Sequence, residues 1–328
     1  METSTKNEQC GVSTSKNDVR NAEKDKGLFP KAYCKIVPDV FGDFKRPLFS
    51  KPTVNVMHTN GAGAKASLAY RHWKETGDLN VWKAIAQDAV VMNIDDLICS
   101  GITNNILLSS TINYNSNHIS KEVVSTIVSG IEAYLETLRS QHININFGGV
   151  KITDVGNLVQ SVTVDTTTAV RIRQNEIIAN DRIQDQDVII GLASNEQHAL
   201  SPLQTYLPVM KAILENFRPS IHGLVHCSDG GQTNCLNFVN DLHIVKNNLF
   251  AVPPVFSTIQ SETNTSWQDM YKLFNMGHRL EIYTKEKIVS DIFKIARHFN
   301  INAQIIGYCE SAPEKGLTIK SEHGTFHY

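Results

Sequence analysis

The stretch Val54-Asn55-Val56-Met57-His58-Thr59-Asn60-Gly61-Ala62-Gly63-Ala64-Lys65-Ala66 decides how the rest of the chain is read. Val54–His58 has the apolar content of a strand, and Thr59–Lys65 is a glycine loop. A helix opens at Ala66, where Leu68, Ala69, His72 and Trp73 recur at helical spacing until Gly77 stops it. A second helix follows, with Trp82, Ile85, Ala86, Ala89 and Asn93 on one face, and ends in an acidic turn, Met92-Asn93-Ile94-Asp95-Asp96-Leu97. A glycine loop between strand and helix lets backbone N–H groups close on an anion, to which the helix N-terminus adds its dipole. Lys65 would stand beside that anion as a mobile point charge. Asp95 and Asp96 would hold Mg²⁺, which takes hard oxygen ligands and shares phosphate oxygens with a bound nucleotide. Together these are the parts of a nucleoside triphosphate site. The loop is not a Walker loop: the spacing to Lys65 is too short, and Ala66 replaces the Ser/Thr that would meet Mg²⁺. Taken singly, such a glycine loop is more often a tight turn with an exposed lysine, and such an acid pair more often a solvated helix end.

The 328 residues are enough for two domains with substantial cores, and 41% hydrophobic and 20% charged residues are ordinary for a globular chain. A net charge of −2 gives no pull toward nucleic acid or an anionic membrane, and no apolar run approaches a membrane span. The start, Met1-Glu2-Thr3-Ser4, has no apolar signal core. Six scattered cysteines, Cys10, Cys34, Cys99, Cys227, Cys235 and Cys309, contain no Cys-x-x-Cys pair. That disfavours zinc and a disulfide framework, fits a reduced cytoplasm, and makes each cysteine a small buried hydrophobe.

Residues 1–27 are polar, the first dozen expected to be mobile, and Leu28–Phe44 has apolar residues able to fold over a neighbouring surface. Strands are expected at Ile106–Ile112, Ile143–Phe147, Leu158–Ile172, Val188–Ala193, Ile221–His226, Arg279–Tyr283, Ala303–Tyr308 and Leu317–Lys320. Helices are expected at Lys121–Leu138, Met210–Phe217, Trp267–Phe274 and Lys285–Phe299. Ile183–Asp187 is a polar turn before a fresh apolar strand, so the domains are placed at 1–178 and 179–328. Ile221–His226 enters Cys227-Ser228-Asp229-Gly230-Gly231, a second strand–glycine–helix unit that is either an anion contact or a plain turn.

Five blocks in order resemble the aminoimidazole ribonucleotide synthetase (phosphoribosylformylglycinamidine cyclo-ligase) family. They are Asn60–Lys65, Met92–Leu97, Gly148-Gly149 with Asp154, His226–Gly231, and Met270-Tyr271-Lys272-Leu273-Phe274-Asn275-Met276-Gly277. The resemblance implies an α+β fold of two domains. The N-terminal half pairs with a second copy through a shared β-barrel, and the C-terminal half is an α+β sandwich. It further implies ATP and Mg²⁺, a ribonucleotide substrate, and ring closure driven by phosphoryl transfer to an amide oxygen in the cytoplasm, with no nucleic acid or membrane partner. Carried over residue by residue, Lys65, Asp96 and His226 are catalytic. Asn60, Gly61, Gly63, Lys65, Gly148, Gly149, Gly230, Gly231, Asn275 and Gly277 bind the nucleotide, and Asp95, Asp96 and Asp154 bind metal. Selenophosphate synthetases carry a reactive Cys or selenocysteine in an N-terminal glycine-rich loop, which Cys10-Gly11 matches poorly. The hydrogenase maturation branch ends in a cysteine tail, which Phe326-His327-Tyr328 does not provide.

The chain departs from the family pattern where the chemistry is strictest. Asn60 stands for a metal-binding Asp, Ala64 for Thr, and Val150-Lys151-Ile152-Thr153 for Glu-Thr-Ala with its carboxylate. Asp229 interrupts a glycine run, and Asn195–Ser201 abbreviates a longer segment on the substrate side of the cleft. Two functions therefore compete: a working cyclo-ligase, and a degenerate paralogue that keeps the fold and acts as a nucleotide-binding regulatory or scaffolding partner.

Overall fold

A computed structural model describes residues 27–40, 52–194, 196–228 and 230–328. Cys10, Phe41–Phe44, Asn195 and Asp229 lie outside the described residues. The first sheet has five strands in the order β1-β2-β5-β3-β4: β1 Ile36–Pro38, β2 Thr53–Gly61, β3 Ile106–Tyr114, β4 Ile145–Asp154 and β5 Val162–Arg173. Only β3 and β4 are parallel. The reason is their connection, which runs through a 20-residue helix, Lys121–Ser140, capped by the Ser120 hydroxyl accepting from the Val123 N–H. A parallel pair needs such a crossover. The helices are α1 Lys65–Thr76, α2 Asn80–Ile98 and α3 Lys121–Ser140. They cover one face of the sheet, where Val54, Val56, Leu108, Ile112 and Val170 meet Trp82, Ile85, Ala89, Ile127 and Ile131.

The other face of this sheet is open. Met57, Ala169 and Leu107 stand in one cross-strand row and Thr59, Thr167 and Ser109 in the next. Met57 is 66% and Leu107 51% exposed, which is unusual for side chains of that size. The sheet is not closed into a barrel within the single chain.

The second sheet has seven strands in the order β12-β11-β8-β10-β6-β9-β7. These are β6 Val188–Ala193, β7 Ile221–His226, β8 Leu242–Lys246, β9 His278–Thr284, β10 Ala303–Ser311, β11 Gly316–Ser321 and β12 Gly324–His327. Helices α4 (Leu207–Phe217) and α7 (Val289–His298) cover one face, and their Met210, Ile213 and Ile292 belong to the same apolar cluster as the first sheet. The other face packs on Phe256 of α5 (Pro254–Thr263) and Met270 and Tyr271 of α6 (Trp267–Leu273). The fold is the expected α+β architecture. The strand expected from Leu158 starts at Val162, after a 3₁₀ turn at Gly156–Leu158. Three short strands, β1, β8 and β12, had no clear periodicity to announce them.

Candidate active site

The strand of the opening stretch does not stop at His58. It runs on to Gly61, because β5 continues to pair with it as far as Asp165. Asn60 and Gly61 are therefore strand residues, not loop residues. A Cβ at Gly61 would lie 2.3 Å from Asp165 Oδ1 and 2.5 Å from the Val164 carbonyl, so β5 alone requires glycine there. The turn proper is Ala62–Ala64, with Gly63 at φ 56°, and the first turn of α1 has no side-chain cap. Its N–H groups are the feature of the loop that suits an anion.

Lys65 is not mobile. Its Nζ lies 2.5 Å from Asp88 Oδ2 and donates to the Ser201 carbonyl at 2.6 Å. Asp88 also accepts from the Leu203 N–H at 2.7 Å. The segment around Ser201 thus closes on the lysine of the loop. Beside it lies an open groove of about 720 Å³ lined by His72, Val81, Gln87, His198, Leu200 and Pro202.

Asp95 and Asp96 are not an acidic turn. They sit inside α2 and are 0% and 1% exposed. Asp95 Oδ1 accepts from Thr205 Oγ1 at 2.5 Å and the Tyr206 N–H at 3.2 Å, and Oδ2 from Arg279 Nη2 at 3.0 Å. Asp96 Oδ1 pairs with His226 Nδ1 at 2.8 Å, and Oδ2 with His58 Nε2 at 2.9 Å and Asn60 Nδ2 at 2.7 Å. Burial opposes ionisation of Asp96, but the hydrogen bonds from His226 and His58 outweigh it and hold the carboxyl well below the usual range. At His58 burial likewise opposes the charged ring, but Cys34 and Asp96 outweigh it and push the pKa up to about 11. His226 is fully buried, and its Nε2 has no hydrogen-bond partner.

All four oxygens of the acid pair are thus taken by protein donors. Asp154 stands apart, exposed at the end of β4, where its Oδ1 accepts from the N–H groups of Ser116 and Gly156. Asp95, Asp96 and Asp154 do not converge on one ion position. The donor set expected for Mg²⁺ does not fit one, and these acids are not counted as metal ligands. Among the described residues, one Cys/His/acid group has its ligand atoms mutually within 4.8 Å: Cys227, His278 and Glu281. Within it, Glu281 Oε1 is already paired with the ammonium of Lys246.

The remaining expected residues divide between turn and scaffold. Gly148 and Gly149 lie at a register shift opposite Ser109, next to the Val150–Ser110 pair. Gly230 has a left-handed backbone at φ 88°. Gly231 passes beneath α6, where a Cβ would lie 2.6 Å from the carbonyls of both Tyr271 and Phe274. That close approach explains why the His226–Gly231 and Met270–Gly277 blocks occur together. Asn275 is used internally, accepting from the Gly277 N–H at 3.0 Å and donating to Glu196 Oε2 at 2.9 Å. Gly277 turns at φ 117° into β9. Sequence reasoning missed His58, Asp88, Thr205 and Arg279. The signal for buried acids was present: Asp95 and Asp96 stand among Val90, Val91, Ile94, Leu97 and Ile98 in the enclosed C-terminal half of α2.

Asn60→Asp tests this arrangement. It would exchange a 2.7 Å hydrogen bond to Asp96 for two facing carboxylates. Without metal, stability is expected to fall by about 1–3 kcal/mol, the cost of an unmet buried polar group. Added Mg²⁺ should recover part of that loss, because two adjacent carboxylates now face one position. Thermal melting with and without Mg²⁺ reads the result. A metal-free variant as stable as wild type would show that the Asn60–Asp96 contact is not formed.

Comparison with known proteins agrees with the geometry of the two halves. Residues 48–167 match the family model of the AIR synthase related protein N-terminal domain, and residues 173–320 that of its C-terminal domain. A phosphoribosylformylglycinamidine cyclo-ligase of Methanococcus maripaludis is 25% identical over 301 residues, covering 81% of each chain. The protein of that name from Coxiella burnetii is 22% identical over 309 residues, covering 84% of this chain and 83% of its own. Among solved structures, T. maritima PurL complexed with ADP superposes with a TM-score of 0.64 at 12% identity. It covers all of this chain, which spans only 50% of PurL. The HypE–HypF complex gives 0.63 at 13% identity, covering 96% of this chain and 98% of the matched one. No helix among the described residues is long and apolar enough to cross a membrane. The two family matches, which together span most of the chain, show that it belongs to the AIR synthase related protein family.

Proposed function

We propose that this chain is a cyclo-ligase-type protein of purine biosynthesis that binds the phosphates of ATP at the N-terminus of α1 and closes the imidazole ring slowly or not at all. The observation that carries this reading is the occupation of all four oxygens of Asp95 and Asp96 by Arg279, Thr205, Tyr206, His226, His58 and Asn60. The uncapped first turn of α1 and the left-handed Gly63 supply the anion contact. Lys65 would have to leave Asp88 to meet a phosphate, so binding should be weak and nearly independent of Mg²⁺. Calorimetry with ATP checks this, and Lys65→Ala should weaken binding by about 1.5–3 kcal/mol, the range for a hydrogen bond to a charged group. An unchanged affinity in the variant would remove Lys65 from the site. The coupled test is ADP release with formylglycinamidine ribonucleotide. Turnover near about 1 s⁻¹ would favour the second reading, a competent cyclo-ligase, which the 81% coverage of the Methanococcus enzyme supports.

The open sheet face supports assembly as a homodimer, two Met57–Ala169–Leu107 rows covering each other. Light scattering should give twice the chain mass at micromolar concentration. Leu107→Lys should shift it to the monomer, since it places a charge where apolar surface must be buried. A wild-type monomer would overturn this assignment.

A further inference from the structure

The connector between the two sheets, residues 174–182, runs along a cavity of about 580 Å³ that nucleotide binding at α1 does not use. Three guanidinium groups from three segments line it: Arg173 at the end of β5, Arg182 on the connector, and Arg218 just after α4. Phe29, Ile177 and Pro219 give it an apolar side. Glu176 and Asp181 offset two of the three positive charges, so the lining keeps one in excess.

Two of these arginines are held in place without a carboxylate. Arg218 Nη1 donates to the Gly101 carbonyl at 2.8 Å and to the Glu176 carbonyl at 2.5 Å. Gly101 turns at φ 84°, and a Cβ there would lie 2.8 Å from Arg218 Nη1, so the guanidinium uses the room that this glycine leaves. Arg182 donates from Nη1 to the Pro219 carbonyl at 2.9 Å and from Nη2 to the Ile221 carbonyl at 2.5 Å. Carbonyls orient a guanidinium but do not neutralise it, and among the described residues neither group has a carboxylate oxygen within 4.0 Å. Burial, opposed by Glu176 and aided by the nearby Arg173 charge, lowers the Arg218 pKa. Arg173 itself pairs with Glu176 Oε1 at 2.5 Å, but its side chain is 60% exposed, and such a pair costs little to open.

We propose that this cavity binds a phosphate dianion, free or as the monoester of a small metabolite, on Arg173, Arg182 and Arg218. Guanidinium forks match phosphate oxygens, and a phosphoryl group offers three strong acceptor oxygens to groups arriving from three segments, where a carboxylate has two. Arg182 and Arg218 are fixed beforehand by carbonyls, so little side-chain freedom is lost on binding. Arg173 exchanges Glu176 for the anion, and Phe29 and Ile177 receive an ester group. The site is separate from the one at α1, since no residue of the Ala62–Lys65 turn lines it.

Calorimetry on the full chain carrying Lys65→Ala, which keeps phosphate off α1, reads this site with inorganic phosphate and with phenyl phosphate. Salt at about 0.15 M screens attraction between distant exposed charges. Saturable binding of one phosphate per chain is expected in the millimolar range. Arg173→Gln and Arg182→Gln should each weaken it on the order of 10- to 100-fold, the worth of a hydrogen bond to a charged group. Glu176→Gln should tighten it, because the carboxylate that competes for Arg173 is gone, and a damaged fold does not bind more tightly. Phenyl phosphate binding more tightly than inorganic phosphate assigns the cavity to a monoester, and an affinity no greater assigns it to the free anion. Phosphate that fails to saturate would overturn the proposal. So would binding that both arginine variants keep at full strength, or that Glu176→Gln weakens.

Discussion

Arg279→Met is expected to lower unfolding free energy by about 3–5 kcal/mol, the cost of removing one partner from a buried ion pair. Arg279 lies on β9 and Asp95 on α2, so the pair joins the two sheets through side chains that are 5% and 0% exposed. The guanidinium also donates to the Gln204 carbonyl at 2.6 Å and lies 5.2 Å from the Tyr206 ring centre. Methionine fills much of the same volume but leaves Asp95 with the Thr205 hydroxyl and the Tyr206 N–H alone. Burial already pushes the Asp95 carboxyl up, and Arg279 is the first of the groups that pull it back. Without Arg279 the carboxyl should be pushed further up, or the α2 contact with residues 203–206 should open. The double variant Asp95→Leu/Arg279→Met should recover part of the loss, because no buried charge is then left unpaired. Urea unfolding of the two single variants and the double variant measures the coupling. A single-variant loss under about 1 kcal/mol, the level of an exposed pair, would mean that Arg279 and Asp95 are not paired in the folded chain.

The same pair shows where sequence reading succeeds and where it stops. Strand, turn and helix over Val54–Thr76 follow from local pattern, and β6 and β7 begin and end at the residues expected, since period and turn chemistry lie within a few positions. The fate of Asp95 depends on Arg279, 184 positions away, and that of Asp96 on His226, 130 positions away. No local pattern carries such pairings. The acid pair therefore pointed to Mg²⁺ where the tertiary structure supplies Arg279, His58 and His226. What was readable is the environment: Val90, Val91, Ile94, Leu97 and Ile98 surround the acids in the C-terminal half of α2, which has no solvated side although the N-terminal half carries exposed Lys83. Acids on it must be paired within the protein.

Lys246→Ala should give the largest loss of all, at or above about 5 kcal/mol, because both charges of its pair are fully enclosed. The ammonium donates to the Gln232 carbonyl at 2.6 Å and to its side-chain oxygen at 3.1 Å, besides pairing with Glu281. Glu281 in turn accepts from His278 Nε2 at 3.0 Å, from the Cys227 thiol at 3.3 Å and, on its other oxygen, from the Tyr283 hydroxyl at 2.7 Å. Burial works against the charged carboxylate, yet Lys246 and then His278 outweigh it and hold Glu281 at about 2. A depressed carboxyl stabilises the fold fully above its ordinary value of 4.5, and that contribution is lost as pH falls toward about 2. Removing Lys246 should shift this acid-sensitive window upward, since the main term holding Glu281 ionised is gone. It also frees Glu281 Oε1 of its ammonium partner, leaving Cys227, His278 and Glu281 with ligand atoms within 4.8 Å of one another. A thiolate, an imidazole and a carboxylate are a donor set that Zn²⁺ accepts. Zinc should therefore raise the melting temperature of Lys246→Ala and leave wild type unchanged. If the variant melts like wild type, or if zinc stabilises both proteins equally, the Lys246–Glu281 pair does not hold this group against metal.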